Sequence, residues 1–383
     1  MPPPDVTRRT SLKNRRASRR GSIMLRNPNT PREIPWDIVD RCLTPILFCH
    51  ALAVIISTFL NTLRISQVSA FTLFLWFSVS TVGAMWFYHN LKVIAAGKAV
   101  LITGCDNVIG NAIARRLDDL GFVVFAGFST KADNLDAEML KSDCSGRLKT
   151  LQLDVTSETQ ILSASLFVAE NLPDGADGLW ALINAAAWCA LGELEWVPFP
   201  VIKKATDINL LGPTRVIQVM LPLIRRAKGR IINVSSGLAR VSSPVRGVHC
   251  ALLAGIEGLS NCLRQELRPR GVDVVVVAPG EYTTGNAWLS EESLLTQAKE
   301  MWNLLSEEQK GAYGEDYFET TIRSLEKYTK DEADLAPVTK ALADAVTRSF
   351  PLPRYTPVTR KEKLQSFIAN HFPQSCYDML FAE

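Results

Sequence analysis

KAVLITGCDNVIGNAIARRLDDLGF, residues 98–122, decides how this chain folds. The run KAVLIT is short, apolar and β-branched; it stops at Gly104, after which NAIARRLDDLGF brings apolar residues back at helical spacing. Between strand and helix lies TGCDNVIG, residues 103–110. Glycines in such a turn let the backbone approach a pyrophosphate, and the N–H groups and dipole of the helix start attract its charge. Thr103, Gly104, Asp106, Ile109 and Gly110 are the candidate contacts. A glycine turn is a weak sign alone; its place between a strand and a helix gives it meaning. Val108 sets a branched side chain in the middle of it.

Five more runs share this texture: FVVFAG, LKTLQLDV, LWALIN, GRIINVSS and VDVVVVAPG, separated by amphipathic stretches. Strands alternating with helical segments predict a parallel sheet covered on both faces. Six strands in the order 3-2-1-4-5-6 make an α/β Rossmann fold, a doubly wound parallel sheet, over residues 98–284. Residues 285–383 are expected to supply a substrate lid and C-terminal helices. The stretch 284–328 is charged, aromatic and helical in pattern, and a segment there falls over the carboxyl ends of the strands, where such sheets bind ligands.

One such domain with an N-terminal appendage accounts for 383 residues. With 47% hydrophobic and 21% charged residues and a net charge of +3, the composition is that of a globular protein and excludes a general nucleic-acid role. The charge is uneven, since residues 1–41 hold ten Lys or Arg against four acids. Eight cysteines show no CxxC pair and no metal-ligand spacing, so reduced thiols and no metal site are expected.

Residues 1–41 read as a basic, disordered tail. RRTS, RRAS and RRGS within it set Ser11, Ser18 and Ser22 where basophilic kinases act. Residues 42–90 carry two uncharged apolar runs, CLTPILFCHALAVIISTFL (42–60) and VSAFTLFLWFSVSTVGAMWFY (68–88), each long enough to cross ~30 Å of hydrocarbon. They predict an N-terminal transmembrane helical hairpin with a tight connection at 61–67. Pro45, His50 and the Ser and Thr content keep the alternative of buried core helices open. The basic tail places both ends in the cytoplasm by the positive-inside rule. An Arg-rich tail also fits a mitochondrial presequence, and TRRTSLK superficially resembles a twin-arginine signal.

Further motifs follow in register. LQLDVT contains Asp154 and Val155, INAAA (183–187) holds Asn184 and Ala185, DINLLG holds Asn209, INVSS supplies Ser236, and APGEYTT (278–284) contains Pro279, Gly280 and Thr283. In this order the chain resembles the short-chain dehydrogenase/reductase family, well over residues 98–284 and loosely beyond. TGCD, VVFAG, EGLSNCLRQEL and PRYTPVTRKEK are most similar to its membrane-bound branch, which includes retinol dehydrogenases, 17β-hydroxysteroid dehydrogenase type 2 and 3-hydroxybutyrate dehydrogenase. The resemblance implies that Asp154 and Val155 lie at the adenine and that Asn184 and Ala185 stand in the NNAG turn. It further implies that Pro279, Gly280 and Thr283 close over the nicotinamide, and that Asn209 and Ser236 belong to a proton relay. Val108 replaces the middle glycine of the family's TGxxxGxG pattern.

The family's tyrosine lies thirteen residues after that serine and its lysine four further on, on one face of a helix. Counting from Ser236 reaches His249 and Leu253. No tyrosine occurs between Tyr88 and Tyr282 and no lysine between Lys228 and Lys299, so no shift of register supplies the pair. The tyrosine is the acid/base, and the lysine lowers its pKa and holds the nicotinamide ribose. His249 is therefore either a third catalytic residue beside Asn209 and Ser236 or a packed remnant.

Two functions follow from the resemblance. One is an NAD(P)-linked oxidoreductase acting on a hydroxyl or keto group of a lipophilic steroid, retinoid or fatty-acid-like substrate. The other is a catalytically inactive dinucleotide- or lipid-binding scaffold. NAD and NADP are not separated: no acid ends the second strand at 127–129, Asp133 is the nearest, and Lys131 equally suits a 2′-phosphate. The expected setting is a multi-pass endoplasmic reticulum protein with the Rossmann domain in the cytosol, a mitochondrial membrane being the alternative. Its expected partners are the ligand, membrane lipids and a second copy of the chain.

Overall fold

Every residue of β1 (Ala99–Thr103) is buried, as in a strand whose sheet carries helices on both faces. The computed structural model describes residues 36–65, 67–130, 135–241, 244–280, 291–325 and 334–381, and the chain divides after Leu91 into two compact units. Ser11, Ser18, Ser22, Lys131, Asp133 and Thr283 lie outside the described residues.

The smaller unit is a helical hairpin, α1 (Trp36–Thr62) and α2 (Ala70–Asn90). Helix α1 starts ahead of the apolar run at Cys42 and continues through Pro45. Short side chains let the helices approach: Cys49 meets Thr81 at 3.4 Å, and Ser57 Oγ donates to the Val68 carbonyl at 2.7 Å. No residue of α2 is buried, and Phe48, Ile55, Phe71 and Trp76 face outward. Core helices would hide these side chains, so both remain candidate membrane spans.

In the larger unit β1 is joined in parallel by β2 (Val123–Phe128), β3 (Leu148–Gln152), β4 (Ala181–Asn184), β5 (Arg230–Val234), β6 (Asp273–Val277) and β7 (Arg354–Tyr355). Their order is 3-2-1-4-5-6-7. The first six strands stand as expected, and β7 adds an edge strand of two residues, too short to show an alternation. Helices α3 (Val108–Asp119), α4 (Leu135–Asp143) and α5 (Glu158–Glu170) follow the first three strands. Between β4 and β5 run α6 (Phe199–Thr206), a π-helical turn (Asp207–Leu211) and α7 (Gly212–Arg226), and α8 (Gly247–Leu267) leads to β6. Then come α9 (Glu291–Leu304), α10 (Glu307–Tyr313), α11 (Glu315–Leu325) and α12 (Ala336–Thr347), and after β7 α13 (Arg360–His371) and α14 (Gln374–Phe381).

Alternation along β1 sends Val100 and Ile102 to the side of α3 and α12, and Ala99 and Leu101 to the side of α5 and α7. A third cluster, with Trp196, Leu252, Met301 and Phe318, joins α9–α11 to the loop after β4. At the opposite end of the sheet Arg230, 2% exposed, donates to the carbonyls of Ala345, Val346 and Arg348 at 2.7, 3.0 and 2.8 Å. Trp180 stacks on that guanidinium and sends its Nε1–H to the Val346 carbonyl. Burial pulls the pKa of Arg230 down to about 10, yet it stays charged at neutral pH and binds the carbonyl end of α12, where a cation is favoured.

Candidate active site

Thr103 ends β1 with its Oγ1 accepting the N–H groups of Ala185 (3.2 Å) and Ala186 (3.3 Å), which ties the ends of β1 and β4 together. Gly104 then turns at φ +71°, where a Cβ would meet Ala186 Cα at 2.5 Å; one on Gly110 would meet the Gly104 oxygen at 2.2 Å. Only glycine fits either position, and the turn lies flat against the end of β4. Asn107 locks it there, as N-cap of α3: Oδ1 accepts the Gly110 N–H at 2.7 Å and Nδ2 donates to the Ala185 carbonyl at 2.6 Å. The sequence reading does not single out Asn107, although an asparagine just ahead of a helical run is a capping sign. Val108 opens α3 half-buried, and Ile109 packs against the core. Asp106 accepts a hydrogen bond from Ser129 Oγ, just past β2.

Farther along the strand ends, Asp154 closes the turn into α5: its Oδ1 accepts from the Thr156 N–H (2.9 Å) and Oγ1 (2.7 Å). Val155 is buried, and a Cβ on Gly212 would meet its Cγ2 at 2.7 Å. Asn184 turns into the sheet, where Nδ2 donates to Asn233 Oδ1 at 2.8 Å and Asn233 passes the chain on to Ser260. Its own Oδ1 is buried without a partner.

The expected catalytic residues stand on, or just past, three different elements. Ser236 follows β5 and lines a cleft of about 190 Å³ together with Gly237, Gly280, Arg354, Phe367 and His371. Neither Asn209 nor His249 lines it. Asn209 sits buried in the π-helical turn, donating to the carbonyls of Trp188 (2.5 Å) and Ala205 (2.8 Å) and accepting the Trp188 N–H (3.0 Å). His249 stands in the first turn of α8 with Nδ1 enclosed and lacking a hydrogen-bond partner. Burial, then the positive Arg246, hold this imidazole down to about 4, so it is neutral at physiological pH. Leu253, one turn on, is 6% exposed.

A turn beyond Leu253, buried Glu257 gathers three donors: Ser235 Oγ at 3.0 Å, Arg240 Nε at 3.3 Å and the guanidinium of Arg354 on β7. An acid among Leu253, Ile256 and Ser260 on the buried stripe of α8 is the sequence sign of such a cluster. The Pro279 carbonyl accepts from Gly237 N–H at 2.8 Å. Over Gly280 lies the carboxylate of Glu362, which a Cβ there would meet at 2.6 Å; the same side chain closes the capping box of α13 on Thr359. Helix α13 thus docks its first turn on the segment after β6.

With this strand order, glycine turn and serine in place, a sequence profile described as short chain dehydrogenase matches residues 98–294. The chain belongs to this family. As a short-chain dehydrogenase/reductase it is 38% identical over 300 residues to the mitochondrial D-beta-hydroxybutyrate dehydrogenase of Rattus norvegicus, covering 77% of this chain and 86% of that one. It is 34% identical over 289 residues to retinol dehydrogenase 7 of Mus musculus, covering 74% and 89%. These relatives set it in the membrane-associated branch of the family. In fold it is similar to a short chain dehydrogenase from Burkholderia cenocepacia J2315 solved in complex with NADP, with a TM-score of 0.55, 18% identity, and coverage of 76% of this chain and 100% of that one.

Proposed function

We propose that this protein is a membrane-anchored dehydrogenase/reductase that binds a nicotinamide dinucleotide and a lipophilic ligand bearing a hydroxyl or keto group, and that it turns the ligand over slowly. One observation carries the reading: the dinucleotide turn is fully braced through Thr103, Gly104, Asn107 and Gly110, whereas the acid/base position holds an enclosed, neutral His249 beside an apolar Leu253. The braced turn fits the cofactor, which when bound supplies or accepts a hydride. The turn and the start of α3 would hold the pyrophosphate, Asp154 and Val155 the adenine, and Ala185, Pro279 and Gly280 the nicotinamide end, with Asn184 bracing from inside the sheet. Ser236 would hydrogen-bond the ligand oxygen.

His249 accepts a proton poorly, and at neutral pH it is not the imidazolium a general acid would need. Leu253 brings no charge to correct this. Loss of a general acid/base costs about 10² to 10⁴ in rate. Relatives named for D-beta-hydroxybutyrate and retinol support a hydroxyl or keto ligand, and the apolar helices support delivery from a bilayer. The basic tail supports a topology with both ends of the hairpin, and the larger unit, on the cytosolic side of an endoplasmic reticulum or mitochondrial membrane. A second reading, a binding protein without turnover, is favoured by Leu253, a buried apolar side chain that brings no charge to the ribose.

The test is purified protein in detergent with NADH or NADPH and a panel of retinal, keto-steroids and keto acids. We expect cofactor binding with slow oxidation of the reduced cofactor. Binding without oxidation would establish the second reading, and no binding would overturn both.

A further inference from the structure

We infer that Asp106 chooses between the two nicotinamide dinucleotides, and that it chooses NAD(H). This rests on the dinucleotide reading above. In a doubly wound sheet the adenosine ribose lies by the end of β2, where an acid reads its 2′-hydroxyl. Here β2 ends at Phe128, and Ser129 follows, so the strand offers no acid of its own at its tip.

The carboxylate arrives from the glycine turn instead. Asp106 Oδ2 accepts a hydrogen bond from Ser129 Oγ, 23 residues away in sequence, which stations the carboxylate at the tip of β2. Its backbone is pinned on both sides: the Cys105 N–H donates to the Gly127 carbonyl at 2.8 Å, and Asn107 is held to Ala185 and Gly110. A carboxylate offers about four lone-pair sites, so one bond to Ser129 leaves acceptors for a ribose hydroxyl. A 2′-phosphate at the same point would bring its negative charge against that of Asp106.

Calorimetric titration of NADH and NADPH into the full chain in detergent tests this, with wild type, Asp106→Asn and Asp106→Ser compared. The wild type should bind NADH about 10- to 100-fold more tightly than NADPH, the range of one charge-assisted hydrogen bond. Asp106→Asn should bring the two affinities close together, mainly by tightening NADPH, and added salt should narrow the wild-type gap because it screens the repulsion. A wild type that binds NADPH as tightly as NADH, or an Asp106→Asn variant that keeps the wild-type ratio, overturns the assignment and leaves the dinucleotide site standing. A wild type that melts cooperatively yet binds neither cofactor overturns both.

Discussion

Asn107 Nδ2 lies 2.6 Å from the carbonyl oxygen of Ala185, so the glycine turn after β1 is held by the end of a strand 78 residues further along the chain. The same side chain caps α3, which makes one residue answerable for the shape of the turn and for the start of its helix.

Asn107→Ala should therefore act twice. Loss of an N-cap costs about 1 kcal/mol of stability, and the freed turn should bind NADH several-fold more weakly. Denaturant unfolding and calorimetric titration of the same preparation separate the two effects. An unchanged affinity would show that the turn holds its form without the side chain.

Glu257 is a buried acid with arginines on two sides. Removing one partner of a buried pair costs about 3–5 kcal/mol, mostly because the other charge is stranded. Glu257→Leu should lose stability on that scale, and Glu257→Leu combined with Arg354→Leu should recover much of it. If the double variant is no better than the single one, Arg354 is solvated well enough to stand alone, and packing accounts for the loss.

Acid should weaken the fold through His249. Its pKa falls from 6.5 to about 4 on folding, so the unfolded chain takes up a proton as pH drops through about 6.5 while the folded protein waits until about 4. Stability is thus complete above 6.5 and declines between the two values. Thermal midpoints of wild type and His249→Gln should run parallel at neutral pH and above, then diverge toward pH 4 with the wild type falling faster. Parallel curves throughout would mean that Nδ1 is hydrated.

His249→Tyr together with Leu253→Lys should raise turnover of a keto-lipid, and either change alone should do little. Tyrosine without a neighbouring cation keeps a pKa near 10. Steady-state rates at matched cofactor saturation decide it. A double variant that binds cofactor and stays inert shows that the cleft has diverged beyond these two positions.

Much of the sheet is legible in the chain because helices on both faces make β1 to β6 continuous apolar runs, and an uncharged run such as residues 68–88 declares a membrane-length helix by composition. Strand β7 escapes for want of length. Gly104 and Gly110 are legible for a different reason: the local backbone admits little else. Asn184 is harder, since a motif position points it at the cofactor while the structure spends its amide on Asn233. The bond between Asp106 and Ser129 and the ion pair of Glu257 with Arg354 are invisible in sequence, because only the sheet order brings those elements side by side.

Arg230 sets a clock on biosynthesis. Its partners, the carbonyls of Ala345, Val346 and Arg348, lie 115 to 118 residues nearer the end of the chain, and β7 is made later still. At about 5–20 residues per second, a ribosome needs on the order of ten seconds to deliver them after β5 has emerged. The apolar hairpin is made ahead of the sheet and is ready for a bilayer throughout that interval, while the nascent sheet keeps an open edge, first at β5 and then at β6. A folding helper that shelters this edge would gain most on a chain already tethered at its beginning, and a stop codon before residue 345 would take all three carbonyls from the guanidinium.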